Sequence, residues 1–238
     1  MPKPFLSAEW RKLAMANYAV DPSILQKHLP ANTELDFFNG VCYVSLVGFL
    51  FANTRLKGIS VPFHKNFEEV NLRFYVKHKD KQTGEWKRGV VFVKEIVPKA
   101  MLTLVANTLY KEHYQTMPMA HEWKTDGDDL VVTYQWKSKQ KNRLTVIADK
   151  TPQQLITHSE AEFITEHYWG YTRVDENKTL EYKVKHPGWD IYNAKEYTIE
   201  ADFGELYGAE FSFLNQEKPL SVFLAEGSEI SVLDTKRI

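Results

Sequence analysis

The 238-residue chain predicts a mainly β protein, a β-rich α+β fold built as a largely antiparallel barrel or sandwich. Three observations lead there: apolar and polar residues alternate with period two along much of the chain, short turn-like segments separate at least seven such runs, and helical spacing is confined to three stretches. Hydrophobic residues make up 43% of the sequence, enough to fill a core and to exclude a disordered chain. With 30 Lys+Arg against 31 Asp+Glu the formal net charge is −1, so no dominant basic field exists to recruit nucleic acid or a membrane surface. Cys42 stands alone, which excludes an intrachain disulfide and a CxxC zinc site.

In chain order, Met1 to Trp10 has only Phe5-Leu6 as an apolar pair and carries Glu9, so it lacks the apolar stretch of a secretory signal and a cytoplasmic location is expected. Asp21-Pro22 supplies an N-cap and a first-turn proline for a short helix with Ile24, Leu25 and Leu29 on one face, ended by Pro30. Phe37 to Thr54 carries no charge and is long enough to raise the transmembrane question. Its Asn39, Gly40, Ser45, Gly48 and Asn53 among aromatic and β-branched residues read instead as one or two buried strands with a turn. Val70, Leu72, Phe74 and Val76 then fall on one strand face and Asn71, Arg73 and Lys77 on the other; Arg55 and Arg73 could reach a pocket, but an outward Arg73 is the simpler reading. Gly89 to Ile96 follows the polar loop around Asp80 to Gly84 and completes a hairpin.

Pro98 opens the longest helical pattern, Lys99 to about His113, with Met101, Leu102, Val105, Ala106 and Leu109 on one face. Leu130 to Trp136 is a strand, and the basic residues Lys137, Lys139, Lys141 and Arg143, interleaved with polar ones, form a solvated hairpin loop rather than a nucleic-acid patch. Ser159-Glu160-Ala161-Glu162 has the capping-box form ahead of Phe163, Ile164 and His167. The turn Asp175 to Lys178 precedes a strand with Leu180, Tyr182 and Val184 on one face; Leu206 to Leu214 and Leu220 to Ala225 complete the strand set. No repeat or flexible linker interrupts the chain, so a single domain over residues 1–238 is expected.

Motifs for nucleotide or metal chemistry are absent: there is no GxGxxG, P-loop or HExxH, and no two of the eight histidines have ligand spacing, so neither a cofactor nor a metal is expected. Cys42 lies in an apolar run where burial raises a thiol pKa, and reads as a core residue rather than a nucleophile. Lys99 would sit in the first turn of its helix, where unpaired N–H groups lower an ammonium pKa and favour the neutral amine that Schiff-base chemistry needs. An exposed lysine on a surface helix is the plainer reading of the same residue. His113, His167 and Tyr168 could line a pocket or simply cap and pack, and Glu226 before Gly227 suits a strand end or bulge.

Glu95-Ile96-Val97-Pro98-Lys99 resembles the Arg-Glu-hydrophobic…Pro-Lys-Lys segment of the acetoacetate decarboxylases, whose first lysine forms the Schiff base. Arg11…Tyr18-Ala19-Val20-Asp21…Leu29-Pro30 is similar to that family's N-terminal segment, with Arg11 on its substrate-site arginine. Phe67-Glu68-Glu69 is similar to its Tyr-Thr-Glu, with Glu69 on its active-site glutamate. Nearly the whole chain resembles the YqjF-like group of uncharacterised bacterial proteins in the same superfamily, through Tyr43-Val44-Ser45-Leu46-Val47, Glu69-Val70-Asn71-Leu72-Arg73 and Phe223-Leu224-Ala225-Glu226-Gly227-Ser228. The resemblance implies a closed, cone-like antiparallel barrel with peripheral helices, an interior pocket for a small keto acid or carboxylate, no cofactor, and compatibility with a homo-oligomer. It implies that Lys99 attacks a ketone, Glu69 orients the substrate or moves a proton, and Arg11 binds a carboxylate. Ala100 stands where the decarboxylases have a second lysine, so two functions are carried forward: a Schiff-base lyase, or a non-catalytic binder of a small carboxylate or apolar metabolite.

Overall fold

In a computed structural model of the chain, residues 4–60, 62, 64–100, 103 and 113–238 are described. The long strands are β1 (Leu6–Ala19), β4 (Val41–Leu56), β5 (Phe67–Lys79) and β6 (Trp86–Val97), with the short β2 (Glu34–Leu35) and β3 (Phe37–Phe38) before β4 and β7 (Tyr114–Thr116) after β6. Then come β8 (Met119–Asp126), β9 (Asp129–Lys137), β10 (Lys141–Asp149), β11 (Trp169–Arg173), β12 (Thr179–Lys185), β13 (Ile191–Glu200), β14 (Ser221–Val232) and β15 (Lys236–Arg237).

Antiparallel pairing joins β14 to β1, β1 to β4, β4 to β5 and β5 to β6; β6 pairs in parallel with β11, β11 antiparallel with β12, and β12 returns to β14. The result is a closed strand ring, as the alternation and the resemblance led one to expect. From β14 the sheet runs on through β13, β10 and β9 to β8 and folds over the outer face of the ring.

Two cores follow. Between the layers, Leu46, Val70, Leu72 and Phe74 pack with Val132, Tyr134, Leu144 and Val146. Inside the ring, Leu13, Met15, Tyr43, Phe49, Phe51 and Tyr75 form the second. The central strands are therefore buried on both faces, which is why β4 is nearly free of charges and why β1, buried without a break from Leu13 to Tyr18, carries no alternation that would mark it as a strand. The parallel step between β6 and β11 needs a glycine: a Cβ on Gly89 would lie 2.5 Å from the Trp169 carbonyl oxygen.

Helix α1 (Pro22–Gln26) starts at Asp21, whose carboxylate accepts a hydrogen bond from the Ser23 N–H at 2.8 Å. Helix α2 (Glu160–Thr165) has the expected Ser159 cap, its Oγ accepting from the Glu162 N–H at 3.1 Å, while the Glu162 carboxylate accepts from the His158 N–H at 2.6 Å, one residue before the cap. It closes one end of the ring, where Phe163 meets the rings of Tyr43 and Tyr75, and Glu160 accepts from the Tyr43 hydroxyl at 2.9 Å. The expected strand Leu206 to Leu214 is instead helix α3 (Phe203–Tyr207) followed by a 3-10 helix (Ala209–Asn215). Asp202 caps α3 through the Glu205 N–H, and the buried Phe203, Leu206, Tyr207, Phe211 and Leu214 follow helical rather than period-two spacing. Ala100 and Thr103 are helical; the rest of the expected Lys99 to His113 helix, 101–102 and 104–112, lies outside the described residues. Among the described residues no helix is long and apolar enough to cross a membrane.

Candidate functional site

The alternation that buries Val70, Leu72, Phe74 and Val76 between the layers turns Phe67, Glu69, Asn71, Arg73 and Tyr75 into the ring. There Phe67, Glu69, Asn71 and Arg73 line a cavity of about 160 Å³. This corrects the outward reading of Arg73: the polar face of β5 looks into the cavity, and Arg73 is only 7% exposed. An aromatic wall lines one part, where Trp10 packs edge-on against Phe49, Phe51 and Trp189, and Phe51 stacks on Phe67 at 4.7 Å.

A second part of the wall is acidic. Glu69, 2% exposed, accepts from Asn71 Nδ2 at 2.9 Å and from the Tyr114 hydroxyl at 3.3 Å. Glu95, 3% exposed, stands across the β5–β6 ladder from Asn71, so two buried carboxylates flank one amide.

The third part is basic. Arg73 Nη2 donates to the Ile164 carbonyl at 3.3 Å, its Nε is enclosed without an acceptor among the described residues, and its guanidinium lies 5.8 Å from the Tyr75 ring centre. His167 is enclosed between Tyr75 and Phe163, with Nε2 3.4 Å from the Asp36 carboxylate and Nδ1 without a partner among the described residues. Burial pushes this imidazole down to about 4, against the pull of Asp36 and with help from the charges of Arg88 and Arg73. His186, stacked on Trp189 at 4.3 Å, is lowered for the same first reason, and the Arg73 charge adds to it. Asp36 itself would be raised by burial, but His167 and the Arg88 Nε–H donated at 2.6 Å hold it below the ordinary carboxylate value.

Of the three residues singled out from the sequence, Glu69 lines the cavity and Arg11 and Lys99 are not among its lining residues. Arg11 is tied to Glu9 through Nε at 2.9 Å and Nη2 at 2.7 Å. A bulge explains its direction: the β1–β4 register shifts between Arg11 and Ala14, where Lys12 takes φ 52°, so Trp10 and Leu13 face the cavity and Arg11, between them, does not. The Lys12 ammonium reaches the Glu226 carboxylate and, at 2.9 Å, the Tyr192 hydroxyl; Glu226 lies inside β14, beside Gly227, whose φ is 80°. Lys99 follows the end of β6 by two residues and is half-buried; its carbonyl accepts from the Thr103 N–H at 3.2 Å. Cys42 is buried in the core, and burial pushes its thiol up to about 11. Sequence reasoning missed Asn71, Arg73, Glu95 and His186 as cavity residues and left His167 open; the available signal was that Asn71 and Arg73 share the strand face of Glu69.

Comparison with known proteins places the fold and the family. The "Uncharacterized protein YqjF" of Bacillus subtilis (strain 168) is 29% identical over 193 residues, covering 78% of this chain and 74% of that protein. The acetoacetate decarboxylase from Legionella pneumophila superposes with a TM-score of 0.66 at 13% identity, over all of this chain and 88% of that one. The enduracididine biosynthesis enzyme MppR complexed with pyruvate gives 0.67 at 11% identity, over all of this chain and 91% of its own. These structural likenesses establish an acetoacetate decarboxylase-like fold. Residues 7–229 match DUF2071, described as an uncharacterized conserved protein, and the chain belongs to that family.

Proposed function

We propose that the chain binds a small organic acid inside its strand ring. The observation that carries this reading is a partly open cavity, mainly apolar, with buried charged and hydrogen-bonding side chains on its wall. An engineered cavity of about 150 Å³ holds benzene, which sets the scale for a ligand here. A structural neighbour holds pyruvate, and the same class of molecule, a small carboxylic acid, suits a wall that combines aromatic rings with a guanidinium. Thermal denaturation of the full chain against a panel of small carboxylates and neutral molecules of equal size tests the reading. Saturable stabilisation by some of them is expected; no shift with any ligand of this size overturns it.

The second reading is a Schiff-base lyase. Glu95 and Val97 face into the ring, and Lys99 is the next residue in that alternation. Its amine would add to a ketone carbon with loss of water, and the iminium would take up the electron pair released as carbon dioxide leaves. Glu69 would move the proton, and Arg11 would have to leave Glu9 to hold the carboxylate. Incubation with acetoacetate or pyruvate followed by borohydride tests the Schiff base, and carbon dioxide release from acetoacetate tests the lyase: an adduct on Lys99 together with that release supports the second reading, and an unmodified Lys99 leaves binding alone.

A further inference from the structure

We propose that Arg73 is the carboxylate anchor of this cavity and that the cavity selects monocarboxylates carrying a compact aromatic or branched apolar body. The inference rests on the binding reading above and names the residue and the ligand class. A guanidinium is charged at every accessible pH and carries five donors in a planar fork. Arg73 is nine-tenths buried, yet among the described residues its only acceptor is the Ile164 carbonyl, at the long distance of 3.3 Å. Its Nε is enclosed and unanswered, and no carboxylate of the described residues comes within 4.0 Å of it. Burying a charge in this way is costly unless an anion answers it.

The surroundings do not answer it. On β5 the neighbours on the same face are Asn71 and Tyr75, and Glu69 lies four residues away, engaged with Asn71 and Tyr114. From across the ring come the rings of His167 and His186, neither of which brings negative charge, while the Asp36 carboxylate behind His167 is held by Arg88. Glu95 lines the same cavity from β6, opposite Asn71, but among the described residues no carboxylate lies within 4.0 Å of the Arg73 guanidinium, and an added carboxylate fits the planar fork. The rest of the ligand is specified by Trp10, Phe49, Phe51 and Phe67, whose rings offer apolar faces and edges, and by a volume of about 160 Å³ that leaves room for a ring-sized body and little more.

The probes are phenylacetate and its neutral analogue 2-phenylethanol, with acetate as the body-less anion, titrated into the full chain by calorimetry and by thermal shift. Phenylacetate is expected to bind at least tenfold more tightly than either of the others, as a charge-assisted hydrogen-bond pair demands. In Arg73→Gln this preference over 2-phenylethanol disappears, whereas the affinity for 2-phenylethanol stays within a few-fold. Should Arg73→Gln fail to fold, the side-chain Nε–H resonances of the wild-type chain decide: one buried arginine signal shifts with phenylacetate and not with 2-phenylethanol. Equal binding of the acid and the alcohol, or an Arg73→Gln chain that keeps the preference, overturns the anchor while leaving a small-molecule cavity in place. Failure of every probe to bind overturns both.

Discussion

Lowering the pH from 7 to 5 destabilises this protein through His167. The imidazole is enclosed between Tyr75 and Phe163, and burial holds its pKa at about 4, below the ordinary 6.5. Between those values the unfolded chain binds a proton that the folded chain rejects. Stability is therefore complete above pH 6.5 and falls as the pH drops towards 4, by about 1.4 kcal/mol per pH unit. From pH 7 to 5 the loss attributable to this residue is about 2 kcal/mol. His186 and His28, both lowered by burial, act in the same direction, and Glu166, raised by burial, acts against it. Asp36 and Glu210, held low by their cationic neighbours, titrate below the window. Urea unfolding of the wild type and of His167→Gln at both pH values isolates the residue: the variant should lose about 2 kcal/mol less on acidification. Equal losses in the two chains would mean that the imidazole is solvated or charged in the folded state, and the enclosed basic end of the cavity would have to be abandoned.

Gly89→Ala should cost about 3 kcal/mol, because its Cβ meets a backbone oxygen of β11 that cannot swing aside; a loss under about 0.5 kcal/mol in urea unfolding would contradict the β6–β11 closure. Ser159→Ala removes the cap of α2 and is expected to cost about 1 kcal/mol, measured in the same way, with an unchanged midpoint speaking against that cap. Cys42 should resist iodoacetamide at pH 8 in the folded chain and react in concentrated urea, since its thiol is buried and its pKa pushed up to about 11. Rapid labelling of the native chain would place it at the surface.

Much of the fold was legible because solvent faces one side of many of its strands or turns. The β5–β6 hairpin, the β9–β10 turn with its lysines, the β11–β12 turn after Asp175 and the caps of α1 and α2 all lie where local chemistry put them. Legibility failed where both sides of an element are covered. Strand β1 has no alternation from Leu13 to Tyr18 because one face fills the ring and the other the interlayer core. In α3 and the 3-10 helix, aromatic residues with high strand propensity are held in helical turns by the Asp202 cap and by burial, a tertiary override of local preference.

The candidate site shows the same limit more sharply. On a strand, the interior of a polar-walled cavity and bulk solvent select the same residue types, so Asn71 and Arg73 read as a solvent face although both are buried. Period two nevertheless ties them to Glu69: placing that carboxylate inside the ring carries Asn71 and Arg73 inside with it, whatever their polarity. The same rule cannot be extended through β1, because the bulge around Lys12 adds a residue to the count against β4 and turns Arg11 away from the face that Trp10 and Leu13 share. The guanidinium on the cavity wall comes from Arg73 on β5, whereas Arg11 on β1 is not among the lining residues. Alignment of short motifs transfers a residue's position in the chain; whether its side chain enters the ring is decided by bulges and by which faces are covered.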